Sequence, residues 1–193
     1  MLNHEDLDQA KSIVYRHMQP TPTYAWPLLG EALGCEAWVK HENHTPIGAF
    51  KVRGGLVYLH EISADGSTAD LVTATRGNHG QSIPYAARQY GRTVHVFVPE
   101  GNSTEKNAAM RAWGATLHVQ GVDFDEAREA AEIYSSEQGG HLVPSFSEYL
   151  VRGVATYAAE LFEVVRNLDT VYVPIGMGSG AASLVAVRDL LGV

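Results

Sequence analysis

Apolar positions recur at helical spacing in some segments of this chain and alternate in others, and the two patterns divide it into elements. Leu7, Ala10, Ile13, Val14 and Met18 mark one face of a helix over residues 4–18. Residues 19–27 hold three prolines and read as an extended connection. Residues 35–40 alternate as a strand, 41–48 form a polar loop, and Val52, Leu56, Leu59 and Ile62 predict a helix near 51–62. From residue 70 the pattern is regular. Strands are predicted at 70–75, 92–98, 115–119 and, more weakly, 141–143, with helices at 79–90, 103–113 and 123–138 between them. Ser103 and Asp123 fit the N-caps of the last two helices. A longer helix over 148–166 carries Leu150, Val154, Ala158, Leu161, Phe162 and Val165 on one side. Strand 170–175, a glycine run at 176–180 and a helix over 181–191 follow. Strand and helix in alternation predict βαβ units on a parallel sheet, an α/β fold. No internal repeat or low-complexity tract interrupts the pattern. A sheet that stopped at the last unit would leave apolar helix surface unpaired, so partner structure is expected beyond it.

Composition narrows the class. With 14 Lys and Arg against 22 Asp and Glu in 193 residues, the net charge is −8, which argues against nucleic acid as a partner. A chain that is 45% hydrophobic and 19% charged is expected to fold. It has no run of about 18 apolar residues, so no membrane partner is expected. The first residues show no apolar signal segment, and Cys35 is the sole cysteine. Both point to a reducing, cytoplasmic setting without disulfides.

Three segments carry candidate chemistry. Gly176, Met177, Gly178, Ser179 and Gly180 follow a predicted strand and open a helix. Glycines allow close backbone approach there, and free N–H groups at a helix start attract phosphate. The plainer reading is a tight turn without a ligand. Gly176, Gly178 and Ala181 also fit the dinucleotide fingerprint, so a nicotinamide dinucleotide and a single phosphate both stay open. The second segment, Thr75-Arg76-Gly77-Asn78-His79, leaves a strand end where ligands of open α/β sheets gather, although Asn78 could serve only as a helix cap. The third is Lys51, between Phe50 and Val52, where desolvation would free an amine; most lysines are simply solvated. Cys35, His41 and His44 lack metal-site spacing, so no metal is expected. Ser179 lacks the first glycine of a hydrolase elbow, because Met177 stands there.

Taken together, the three segments resemble the fold-type II pyridoxal-phosphate enzymes, and most closely the threonine/serine dehydratase and serine racemase group. KHENHTPIGAFKVRGG looks like that family's lysine motif, TRGNHGQSIPYAARQYG like its asparagine loop and VPIGMGSGAAS like its phosphate loop. VFVPEGNSTEKNAAMRAWGATL is similar to the family between those sites. The resemblance implies a tryptophan-synthase-β-like fold of two three-layer α/β lobes with parallel sheets. Residues 1–54 and 146–193 would form the large lobe, incomplete at its C-terminus, and 55–145 the small one. It implies pyridoxal 5'-phosphate as cofactor, held by Lys51 as a Schiff base, with Lys51 then moving the substrate Cα proton. Phe50 would pack against the ring and Asn78 would hydrogen-bond its phenolic oxygen. Residues 176–180 would bind the phosphate. Thr75, Arg76, Gly77, Asn78 and His79 would bind the substrate.

The implied reaction is dehydration and deamination of L-threonine or L-serine to a 2-keto acid and ammonia. The whole protein would be a homodimer or homotetramer. β-Replacement or threonine-synthase-like chemistry on the same cofactor, and a non-catalytic fragment, are the alternatives. Arg76 departs from the family, whose members carry a serine or a small residue there. That argues against racemisation and suggests either an anionic substrate group, as in 3-hydroxyaspartate, or an outward salt bridge. Met177 and Ser179 stand where glycine is more usual. The residue facing the pyridine nitrogen would lie beyond residue 193, and weak or absent activity is expected of this length alone.

Overall fold

The computed structural model describes residues 2–64 and 66–193; Met1, the first residue of the expected large lobe, and Asp65 lie outside the described residues. Helix α1 (His4–Val14) buries Leu7, Ala10, Ile13 and Val14 as its spacing requires, behind an Asn3–Asp6 capping box. The proline-rich connection contains more order than its sequence suggests. Strand β1 (Thr23–Ala25) pairs antiparallel with β2 (Trp38–Lys40), and α2 (Pro27–Leu33) lies between them. Pro27 occupies the first turn of α2, where a missing N–H costs nothing.

Helix α3 (Lys51–Ile62) is followed by the predicted alternation: β3 (Leu71–Ala74), α4 (Asn78–Ala87), β4 (Val94–Val98), α5 (Thr104–Ala112), β5 (Thr116–Val119), α6 (Phe124–Gln138) and β6 (His141–Leu142). The four strands form one parallel sheet in the order β5-β4-β3-β6. Their two-residue period sorts side chains between two cores. Leu71, Val94, Val96 and Val98 face a core shared with Leu56, Leu59, Ile83 and Met110, whereas Val72, Ala74 and Phe97 pack with Ala131 of α6 on the other side.

Helices α7 (Glu148–Val164) and α8 (Ser179–Leu191) join α1 in a further core around Val154, Ala158, Leu161, Leu184 and Val187. Helix α3 is wedged between α4 and α7 at near backbone contact. A Cβ on Gly153 would stand 2.2 Å from the Arg53 carbonyl oxygen, and one on Gly55 would stand 2.2 Å from Ser82 Oγ. One expected element is not formed: residues 170–175 make no ladder among the described residues. Tyr172 and Ile175 are 94% and 71% exposed. A strand needs a neighbour for its N–H and C=O groups, and no described strand pairs with this segment. Among the described residues, no helix is long and apolar enough to cross a membrane.

Candidate active site

The helices differ in how they start. α1, α5, α6 and α7 each begin with a side chain that accepts from their own first turn: Asn3, Ser103, Asp123 and Ser147. α2, α3, α4 and α8 begin at Trp26, Phe50, Gly77 and Gly178 with no such cap, and of these α3, α4 and α8 converge. In α3 the Val52 and Arg53 N–H groups turn back to the Ala49 and Phe50 carbonyls, and in α4 the Gly80 N–H turns back to Gly77, so what these starts offer a ligand is the positive end of each helix dipole. These three starts line one cleft of about 490 Å³, within the size range of small-molecule sites. α3 contributes Phe50 and Lys51, the β3–α4 turn contributes Thr75, Arg76, Asn78 and His79, and the turn before α8 contributes Gly176 and Met177. The cleft lies beyond the C-terminal ends of β3 and β6, where open α/β sheets bind ligands.

Lys51 is held from both directions. The loop before it closes on Thr45, whose Oγ1 accepts from the Ala49 N–H at 2.8 Å and donates to the Ala49 carbonyl at 2.9 Å. Ser82 Oγ donates to the Lys51 carbonyl at 2.6 Å. Lys51 Nζ donates to Ser179 Oγ at 2.8 Å and stands 5.5 Å from the Phe50 ring centroid. Burial holds its pKa below the ordinary lysine value, which favours the free amine. A chain separation of 128 residues is thereby closed to one hydrogen bond.

Across the cleft, the Gly77 N–H donates to Thr75 Oγ1 at 3.0 Å. His79 is 7% exposed, and neither ring nitrogen has a hydrogen-bond partner. Burial, and then the Lys51 charge, push its pKa down to about 3. A neutral imidazole with both nitrogens unsatisfied is costly unless a ligand completes it. Arg76 and Asn78 are exposed at the rim. The glycine turn takes its left-handed step at Gly178, φ 91°, so Met177 needs no positive φ. Gly180 lies under Phe50 and Tyr157, where a Cβ would stand 3.5 Å from each. The Phe50 and Tyr157 rings are 5.8 Å apart.

Of the residues singled out from sequence, Phe50, Lys51, Thr75, Arg76, Asn78, His79, Gly176 and Met177 come together on the cleft wall. Gly77, Gly178, Ser179 and Gly180 lie directly behind it in the same turns. His41 is occupied elsewhere, accepting from Trp26 Nε1 at 3.2 Å. Phe124 at the start of α6 and Ser145 after β6 also line the cleft and were not anticipated. The strand-end rule would have found Ser145.

Sequence reasoning also missed a buried charge cluster behind the site. Arg53, fully buried, meets both oxygens of Glu42 (2.8 and 2.9 Å) and both of Glu160 (2.6 and 3.0 Å). Lys40 donates to Glu160 and to the Thr21 carbonyl, and Tyr15 OH donates to Glu160 at 2.8 Å. Burial alone would raise the Glu160 pKa, yet Arg53 and then Lys40 hold it below the ordinary value. The cluster ties α3, two residues past Lys51, to α7 and to the segment around β2.

Residues 14–190 match the family of pyridoxal-phosphate dependent enzymes. The chain belongs to that family. Its cofactor is pyridoxal 5'-phosphate. Among relatives of the pyridoxal-phosphate dependent enzyme described here, the biosynthetic L-threonine dehydratase of Haemophilus influenzae is 34% identical over 177 residues, covering 91% of this chain and 34% of that protein. The L-threonine ammonia-lyase of Geobacter sulfurreducens is 30% identical over 191 residues, covering 98% of this chain and 48% of that one. The chain thus spans about a third to a half of the length of these curated relatives. A solved pyridoxal 5'-phosphate-dependent aspartate racemase superposes with a TM-score of 0.90 at 27% identity, over 97% of this chain and 59% of that one. The fold is the fold type II of this family. The cleft suits its cofactor, because a desolvated amine, an uncapped glycine turn and an unsatisfied buried imidazole stand around one volume.

Proposed function

We propose that this chain carries the lysine and phosphate-loop part of an ammonia-lyase that dehydrates and deaminates a hydroxy amino acid of the threonine or serine class. The observation behind this reading is the Lys51 amine, depressed in pKa and set among three uncapped helix starts. The relatives named L-threonine dehydratase and L-threonine ammonia-lyase support the reaction class.

When bound, pyridoxal 5'-phosphate supplies an aldehyde for the lysine and a conjugated ring that takes up charge as bonds at Cα break. In this reading the N–H groups of residues 176–180 hold its phosphate, Asn78 meets its phenolic oxygen and Phe50 packs against its ring. Lys51 Nζ takes the substrate Cα proton, its pKa lowered by burial towards the form that can accept one. Thr75, Gly77 and His79 orient the substrate carboxylate, with His79 neutral and therefore able to both donate and accept. The net conversion takes the amino acid to a 2-keto acid and ammonia; the water lost with the β-hydroxyl is regained in hydrolysis.

The reading extends to two lobes, 1–54 with 146–193 and 55–145, sharing α3, and to a cytoplasmic homodimer or homotetramer of the whole protein. Borohydride reduction with pyridoxal phosphate followed by peptide mapping is expected to label Lys51. Keto-acid release from L-threonine or L-serine is expected from the whole protein. A label elsewhere, or product only when a sulfide nucleophile is added, would overturn the assignment.

A further inference from the structure

The cleft is positive in an acidic protein. The chain carries a net charge of −8, yet among the described residues no carboxylate lines the cleft, whereas Lys51 and Arg76 both do. Arg53, Arg128, Arg152 and Arg188 each meet an Asp or Glu, while Arg16, Arg88, Arg111 and Arg166 do not; of the arginines, Arg76 is the one on the cleft among the described residues. Arg76 has no ion-pair partner among the described residues, so the outward salt bridge considered above is not formed. Lys106 of α5 adds a further cation at the same turn: its Nζ stands 3.1 Å from where a Cβ on Gly77 would be. Lys106 too meets no carboxylate among the described residues. His79, buried and unsatisfied, lines the same wall.

We infer that Arg76, with Lys106 approaching the same turn at Gly77, selects substrates bearing a second carboxylate on the side chain, the class of 3-hydroxyaspartate. This rests on the proposed function above and names its substrate class. An amino acid presents one amine and one α-carboxylate to the shared machinery. The amine belongs with Lys51, and the α-carboxylate with the Gly77 turn. A guanidinium at the rim then has nothing to pair with on threonine, whose side chain ends in a methyl and a hydroxyl. A β-carboxylate gives it a planar, two-oxygen partner matching its fork. The proposed conversion stays balanced: 3-hydroxyaspartate yields oxaloacetate and ammonia, with Lys51 taking the Cα proton and the β-hydroxyl leaving as water that hydrolysis returns.

Two measurements test this on the whole protein, with Arg76→Gln, Arg76→Lys and Lys106→Gln beside the wild type. In the first, succinate and butyrate are titrated calorimetrically without cofactor, so that binding is read without turnover. The wild type is expected to bind succinate more tightly by about tenfold, and Arg76→Gln to erase that preference. In the second, kcat/KM is compared for 3-hydroxyaspartate and L-threonine on the loaded protein. The ratio is expected to fall by about tenfold in Arg76→Gln, less in Lys106→Gln, and to recover partly in Arg76→Lys. Equal losses for both substrates would make Arg76 an α-carboxylate ligand. Weaker pyridoxal phosphate binding with an unchanged ratio would make it a phosphate ligand. Either result overturns the inference. Lys51 labelled by borohydride with no dicarboxylate preference would sink the inference alone. Lys51 unlabelled with the succinate preference intact would sink only the proposed reaction.

Discussion

His79 gives a quantitative test of the site's electrostatics. Burial, and then the charge of Lys51, lower its pKa from 6.5 to about 3. Below about pH 6.5 the unfolded chain protonates this ring, while the folded chain resists until about pH 3. Stability derived from a neutral His79 is therefore complete above pH 6.5 and is lost as pH falls from there towards 3. Between pH 7 and pH 5 the loss amounts to about 2 kcal/mol, since each pKa unit is worth about 1.4 kcal/mol. The perturbation is acidification of wild type and of His79→Gln, which keeps a polar side chain but cannot titrate. Urea unfolding followed by tryptophan fluorescence at both pH values provides the readout. The other titrating groups are common to both proteins and cancel in the comparison. Wild type is expected to lose about 2 kcal/mol more than the variant. Equal losses would mean that His79 is solvated in the folded protein, and the unsatisfied imidazole would no longer speak for a ligand.

Further outcomes follow from the packing around Lys51. Arg53→Met leaves Glu42 and Glu160 buried with too little positive charge and is expected to cost about 3–5 kcal/mol in urea unfolding; a loss under about 1 kcal/mol would contradict the cluster's structural role. Gly153→Ala puts a methyl 2.2 Å from the Arg53 carbonyl oxygen, so α3 and α7 must separate. Its thermal midpoint is expected to drop by several degrees, from a cost of about 1–3 kcal/mol. Ser179→Ala removes the acceptor 2.8 Å from Lys51 Nζ. In the proposed reading it also removes a hydroxyl donor to the cofactor phosphate, so pyridoxal phosphate, titrated by absorbance, is expected to bind about fivefold more weakly, the size of one net hydrogen bond of about 1 kcal/mol.

Much of this molecule was legible from local pattern. Helix α3 begins and ends where its apolar spacing placed it, and α5 and α6 start at the predicted Ser103 and Asp123 caps. Strands β3 to β6 fall within the predicted runs. Helix α2 is not evident in the sequence because Pro27 reads as the end of the extended connection over 19–27. Pro27 sits in the first turn, and Gly30 is needed because a Cβ there would stand 2.7 Å from the Cys35 carbonyl oxygen. Residues 170–175 show the converse: a strand-like pattern with no described strand paired to it.

Sequence alone determined the local elements, their order and the residue types of the lysine, asparagine and glycine segments, because capping and periodicity act over a few positions. It could not determine which distant groups meet. Ser179 against Lys51, Glu160 against Arg53, and the burial that strips His79 of partners join positions far apart in the chain or depend on the space around them. Contacts of that kind leave no periodic trace, because their energy comes from charge, hydrogen bonding and exclusion of water in three dimensions. The packing of α3 between α4 and α7, and of α8 on α7, creates them.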